Sequence, residues 1–156
     1  MRFFLFDRIV YAKRSKTLQA IKLVDLMDES FSEHFPLKAV MPSTLIIEAL
    51  AQAGGMLNAL NHDFAAEMVL MLVDGVRIYR QVFQGELLSL AVSMQYEHPY
   101  GATLQGEAYV GDELIAEIER IAFAHEIVDD PERINASRER FRYQSGGFAL
   151  IEEVAE

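Results

Sequence analysis

Residues 42–60 constrain the chain more than any other stretch. Pro42 stands where a helix can begin, because a missing N–H costs nothing in the first turn. Ser43 and Thr44 follow, and then Leu45, Ile46, Ala49, Ala53, Met56, Leu57 and Leu60 recur at helical spacing, with apolar residues filling the other faces as well. A helix apolar nearly all round is normally packed inside a protein, so the stretch predicts a long central helix. Glu48 interrupts it, with Gln52 one turn later on the same face. A buried carboxylate without a partner costs several kcal/mol, so Glu48 needs a reason to be there. Gly54 and Gly55 each cost about 1 kcal/mol against Ala inside a helix, which predicts close approach by a sheet or a second helix.

The rest of the chain supplies strands to cover that helix. Residues 3–12 are aromatic and β-branched, Lys13-Arg14-Ser15-Lys16 is a polar turn, and residues 18–26 read as the return strand. Residues 27–41 form a loop that carries His34. Beyond the helix, strand-like runs cover 67–80, 87–97, 102–110 and 113–128, punctuated by Gln84-Gly85-Glu86, Pro99-Tyr100-Gly101 and Gly111-Asp112. In the last run Leu114, Ala116 and Ile118 share one face, whereas Ile121, Phe123 and Ile127 share the other. A shift of one residue flips every side chain, so a bulge near Glu119-Arg120 is expected. A hairpin, a long helix and four antiparallel strands give an α+β domain over residues 1–128, one sheet wrapped around one helix. Residues 129–156 form an extension packed on or beside it. Its helix starts at Asp129-Asp130-Pro131, carries four arginines over 132–143, and ends at Gly146-Gly147 before a short apolar tail.

Composition narrows the chemistry. The 156 residues contain no Cys, so neither a disulfide framework nor a thiolate nucleophile is available. A net charge of −10 argues against nucleic acid, which needs a basic face. The opening apolar patch ends at Asp7-Arg8, too short for a signal peptide, and no stretch reads as a membrane span, so a cytoplasmic location is expected. No metal or cofactor is expected: the four His residues are scattered without an i, i+4 pair. Gly54-Gly55 follows no strand and lacks the Lys-Ser/Thr of a phosphate loop, and there is no Gly-x-Ser-x-Gly. His62 reads as a solvated helix-end residue, His98 as a turn residue and His125 as an exposed strand residue, and none is assigned chemistry.

Three segments together carry a family signature: Glu33-His34-Phe35-Pro36, Val40-Met41-Pro42-Ser43, and Ile46-Ile47-Glu48-Ala49-Leu50-Ala51-Gln52. They resemble the hot-dog-fold 3-hydroxyacyl-acyl-carrier-protein dehydratases, whose motif runs Gly-His-Phe-Pro, Val-Met-Pro-Gly, then a helix reading Leu-Ile-Glu-Ala-Met-Ala-Gln. The resemblance covers residues 4–128, including Asp7-Arg8 in the first hairpin and Val73-Asp74-Gly75-Val76-Arg77. It implies a hot-dog fold and a catalytic pair, His34 and Glu48, with Glu rather than Asp pointing to the branch that dehydrates without isomerising. It further implies substrate contacts at Ser43, Val40 and Gln52, with the Ser43 N–H holding the thioester carbonyl. The chain departs from the pattern at Glu33, at Leu37-Lys38-Ala39 and at Ser43, where the family has Gly. A left-handed backbone at Ser43 would strain it.

What the resemblance implies is dehydration of a (3R)-3-hydroxyacyl thioester on an acyl carrier protein to the trans-2-enoyl thioester. Two alternatives stand beside it: a hot-dog thioesterase, which needs a helix carboxylate but not His34, and a non-catalytic acyl-thioester-binding subunit. The implied partners are the acyl carrier protein and a second copy of the chain, as a homodimer or a homo-oligomer of dimers, with no nucleic acid and no membrane. Two sheets would join side by side, the His of one chain facing the Glu of the other. An acidic carrier needs local basic surface on an acidic body. The candidates are Lys13-Arg14-Lys16, Arg77 with Arg80, and Arg133 to Arg142; Arg77 and Arg80 are favoured, and Arg138 and Arg142 carry less weight.

Overall fold

The computed structural model describes residues 4–25, 40–146 and 150–152. The long helix forms where the sequence places it: α1 runs Ser43–Asn61, with Pro42 as N-cap. The strands are β1 (Arg8–Lys13), β2 (Thr17–Leu23), β3 (Val40–Met41), β4 (Ala66–Ile78), β5 (Val82–Phe83), β6 (Leu87–His98), β7 (Gly101–Val110), β8 (Glu113–Ile127) and β9 (Leu150–Glu152). A second helix, α2, spans Pro131–Gln144. Among the described residues the main sheet has seven strands in the order β4-β8-β7-β6-β2-β1-β9, and β3 pairs with β5 in a separate two-stranded sheet. The main sheet is antiparallel except where β9 runs parallel to β1.

The sheet curls around α1, and the core lies between them. Ile46, Ala49, Leu50, Ala53 and Leu57 meet Leu18, Leu90, Val92, Leu104, Ile118 and Ile121, all buried. The two glycines find the sheet. A Cβ added at Gly54 would stand 3.3 Å from Phe123 Cε2, and one at Gly55 would stand 3.8 Å from Met68 Cβ. Gly106 of β7 is the reciprocal contact, since a Cβ there would come 3.4 Å from Leu50 Cβ. The turn between β1 and β2 clasps the far end of α1. Arg14 donates to the Leu60 carbonyl at 2.7 Å, and the Ser15 N–H donates to Asn61 Oδ1 at 2.8 Å. A cation at a helix C-terminus is favourably placed against the helix dipole.

The expected bulge in the last strand is present. β7 advances two residues from Leu104 to Gly106 while its partners on β8 advance three, from Ile121 to Ile118. A second irregularity follows between Ala108 and Tyr109, where Ile115 is passed over in the pairing and is fully buried. Ile127, which the parity of the sequence groups with Ile121 and Phe123, is 77% exposed at the strand's end.

Four expectations change. First, the side of α1 that one sheet leaves uncovered is not marked by Gly54, which is buried against Phe123: Thr44 and Glu48 are exposed and Gln52, Gly55, Met56 and Ala59 are half-buried, a stripe at helical spacing. The single sheet reaches only around the opposite faces. Second, pairing of the first strand begins at Arg8, because Phe4–Phe6 packs on α1, with the Leu5 N–H donating to Gln52 Oε1 at 3.0 Å. Third, β3, β5 and β9 lacked a readable signal, being two or three residues long. Fourth, His125 is half-buried rather than exposed, and His62 is half-buried beside a carboxylate rather than solvated. The helix of the extension forms as expected, with Asp130 capping the Glu132 N–H at 2.9 Å and Pro131 in its first turn. Among the described residues no helix is long and apolar enough to cross a membrane.

Candidate active site

Glu48 sits on the uncovered stripe of α1, on the side away from the sheet. Gln52, one turn on, donates from Nε2 to Glu48 Oε1 at 3.0 Å. The amide has no freedom to flip. A backbone N–H can only donate, so the Leu5 N–H fixes the other end of the Gln52 side chain as oxygen and leaves the NH2 for Glu48. The N-terminal segment therefore orients a carboxylate through a single side chain. The sequence placed Gln52 among the substrate contacts; in the structure it also positions Glu48.

Ser43 is the first residue of α1, so its N–H has no acceptor within the helix. Its φ is negative: among the described residues only Ser15, Asp63 and Phe64 are non-glycine positions with positive φ. The Gly-to-Ser departure brings no backbone strain, and the N–H at the start of the helix is kept. Val40 is buried in β3, where it pairs with Phe83 of β5 and so anchors the approach to the helix. His34, with Glu33 and Leu37-Lys38-Ala39, lies outside the described residues.

A groove of about 450 Å³ begins beside this pair. Gln52, Gly55, Met56 and Ala59 of α1 form its floor, and Phe4, Phe6, Phe64 and Met68 form its apolar walls. Ser137 and Arg140 of α2 close it above, with Glu67 at the margin. The volume is within the range of small-molecule sites, and the lining is about equally polar and apolar. No local pattern marks it, because its floor, walls and roof come from four separate segments. Among the described residues no cluster of His, Cys, Asp and Glu could hold a metal ion.

The two arginines named for carrier docking are both engaged. Arg77 lies between Glu117 at 2.8 Å and Glu119 at 2.6 Å, and more than half of its side chain is exposed. Arg80 bonds both oxygens of Glu86 at 3.0 Å and Glu113 at 2.9 Å. Glu86 also accepts from the Phe83 N–H at 2.7 Å, so Arg80 is built into the turn between β5 and β6. These contacts hold the Glu86 carboxyl below its ordinary range, the Arg80 hydrogen bond being the main cause. Glu117 is lowered likewise, first by the Tyr79 hydroxyl and then by Arg77.

At the opposite end of α1 lies a cluster the sequence reading passed over. Asn58 Nδ2 is 3.0 Å from His125 Nε2, the His62 and His125 rings meet edge to face at 4.5 Å, and His62 Nε2 is 3.2 Å from Glu97. Burial, then the neighbouring His62, holds His125 below the ordinary imidazole range. The only sequence signal was Asn58, a polar residue on the apolar helix.

The curled sheet around one helix is the hot-dog fold, and solved structures of low identity share it. A conserved protein of Pseudomonas aeruginosa superposes with TM-score 0.62 at 15% identity, covering 76% of this chain and 87% of its own. A Streptococcus mutans protein bound to acetyl CoA gives 0.65 at 9% identity, covering 83% and 96%. Sequence comparison is more specific. The family model described as FabA-like domain matches residues 1–119. The 3-hydroxyacyl-acyl-carrier-protein dehydratase FabZ of Koribacter versatilis is 36% identical over 115 residues, 72% of this chain and 74% of that protein. Its counterpart in Coxiella burnetii is 37% identical over 121 residues, 75% and 85% of the two chains. The chain belongs to the FabA-like family.

Proposed function

We propose that this chain is a 3-hydroxyacyl-acyl-carrier-protein dehydratase, converting a (3R)-3-hydroxyacyl thioester to the trans-2-enoyl thioester. The observation that carries the reading is the oriented Glu48–Gln52 pair one turn beyond the free helix start at Ser43, in a chain more than a third identical to dehydratases of that name. The reaction removes a weakly acidic α-proton and expels hydroxide. His34 is the proposed base, a neutral imidazole being suited to this near pH 7. Glu48 is the proposed acid for the leaving hydroxyl, directly or through a held water. The Ser43 N–H, at the positive end of α1, would stabilise the enolate-like oxygen. Val40 and Gln52 border the same end of the helix, as substrate contacts.

The active unit we propose is a homodimer. Glu48 is exposed in one chain, and a buried acid needs water excluded. The outer strand β4 supports the same reading: Val69, Leu70, Met71, Leu72, Val76 and Ile78 are exposed along it, Met71 by 65%. A long apolar edge strand is a template for pairing with another chain. Gly54 does not contribute to that contact, because it is buried against the chain's own sheet.

The test is turnover of carrier-linked 3-hydroxyacyl thioesters of several chain lengths, followed by enoyl absorbance. Enoyl product that vanishes in His34→Ala and Glu48→Gln is expected. Free carboxylic acid retained in His34→Ala would mean a thioesterase, and tight binding without any product from the panel would mean an acyl-binding subunit.

A further inference from the structure

The roof of the groove belongs to α2, which lies beyond residues 1–119 matched by the family. Ser137 and Arg140 stand three residues apart, on one face of that helix, and both line the groove. The Arg140 guanidinium lies 5.5 Å from the centre of the Phe4 ring. Its Nε is buried, and among the described residues has no hydrogen-bond partner. The neighbouring arginines are engaged: Arg133 holds Glu67 at 2.6 Å, and Arg138 donates to the Asp63 backbone carbonyl at 3.2 Å. A buried guanidinium Nε without an oxygen acceptor is costly, and the apolar side chains of the groove offer it none.

The floor sets the distance. From Gln52, which holds Glu48, to Ala59 the helix rises about 10 Å. A chain attached at the reacting carbons beside Glu48 and laid along α1 passes Gly55 and Met56 before it reaches the α2 end. Gly55 keeps that path open, since the core does not require its smallness: an added Cβ would meet Met68 and Phe123 only at ordinary contact distance, 3.8 Å.

We infer that this groove receives the acyl chain of the substrate, and that Arg140 selects chains carrying a carboxylate at the distal end. The inference rests on the dehydratase reading for what the chain is attached to, and on the groove alone for what its far end must be. Arg140 is a specificity residue here, far from the reacting atoms. The Ser137 hydroxyl offers a second donor to the same carboxylate, and Glu67 does not oppose it while Arg133 holds it.

The experiment compares two N-acetylcysteamine thioesters of equal length, 3-hydroxydecanoyl and its ω-carboxyl analogue, with the full-length wild type, Arg140→Leu and Arg140→Lys. A charge-assisted hydrogen bond in a half-open groove corresponds to roughly a tenfold preference. Wild type should therefore favour the carboxylate in kcat/KM by about that factor, Arg140→Leu should lose the preference, and Arg140→Lys should retain part. Calorimetry with decanoic acid and decanamide, equal in length and differing in the charge of one end, reads the same discrimination without turnover. Discrimination in binding with no product from either thioester would overturn the dehydratase reading and leave the groove inference standing. Equal kcat/KM for the two thioesters in wild type overturns the inference, as does a preference that survives in Arg140→Leu. Should Arg140→Leu not fold, Arg140→Lys and the wild-type ratio decide alone.

Discussion

At the scale of single residues, Gln52 and His125 have consequences that can be measured. Gln52→Glu keeps an acceptor for the Leu5 N–H but places a second carboxylate one turn from Glu48. A like charge disfavours ionisation of its neighbour. With the amide donor gone as well, the variant should lose turnover with little change in thermal stability. Unchanged turnover would show that Gln52 does not position Glu48. His125 titrates below its ordinary value in the folded protein, mainly through burial and secondarily through His62, against the opposing pull of the Pro99 backbone and Glu97. A base so depressed is neutral in the fold while the unfolded chain still takes up a proton. Its contribution to stability is complete above the ordinary imidazole pKa. It is lost as pH falls through that value, and levels off below the folded pKa. The thermal midpoint should thus fall between about pH 8 and about pH 5, and fall less in His125→Gln. An identical slope in the variant would remove His125 from the account.

At the scale of elements, the two arginines of the proposed docking surface divide. Arg77, on the exposed strand β4, is held between two glutamates in water, pairings of small net worth. Arg80 fastens the β5–β6 turn through Glu86, and the β5 strand of that turn pairs with β3, which leads into α1. Reversing Arg77 to Glu should raise KM for a carrier-linked substrate, leave a small thioester nearly unaffected, and have less effect as salt rises. Reversing Arg80 should lower activity on both substrates and lower the melting temperature. Equal losses on both substrates from the Arg77 variant would end the docking proposal for β4. Both arginines read alike in the sequence, and only their partners separate them.

At the scale of the whole molecule, the proposed second copy would cover the apolar edge β4 and the exposed start of the α1 stripe, at Thr44 and Glu48. Mixing inactive His34→Ala and Glu48→Gln chains under conditions of subunit exchange should restore part of the activity, because one site in the mixed dimer keeps both groups. A monomer by light scattering at working concentration would falsify this arrangement. The central helix, the hairpin, the four long strands and the bulge at Glu119-Arg120 were legible in the sequence, because each rests on a local repeat or on a break in one. Glu48 stands out without coordinates as a charge in an apolar run, whereas Ser43 and Gln52 were named through the family resemblance. Which faces of α1 the sheet covers was not legible: periodicity says that a helix is apolar, not how far one sheet can curl around it. Nor were the strand-like Phe4–Phe6 packed on the helix, the two-residue strands β3 and β5, and the pairing of His62 with Glu97. The groove under α2 belongs with them, because its floor, walls and roof meet only once segments dozens of residues apart have packed together.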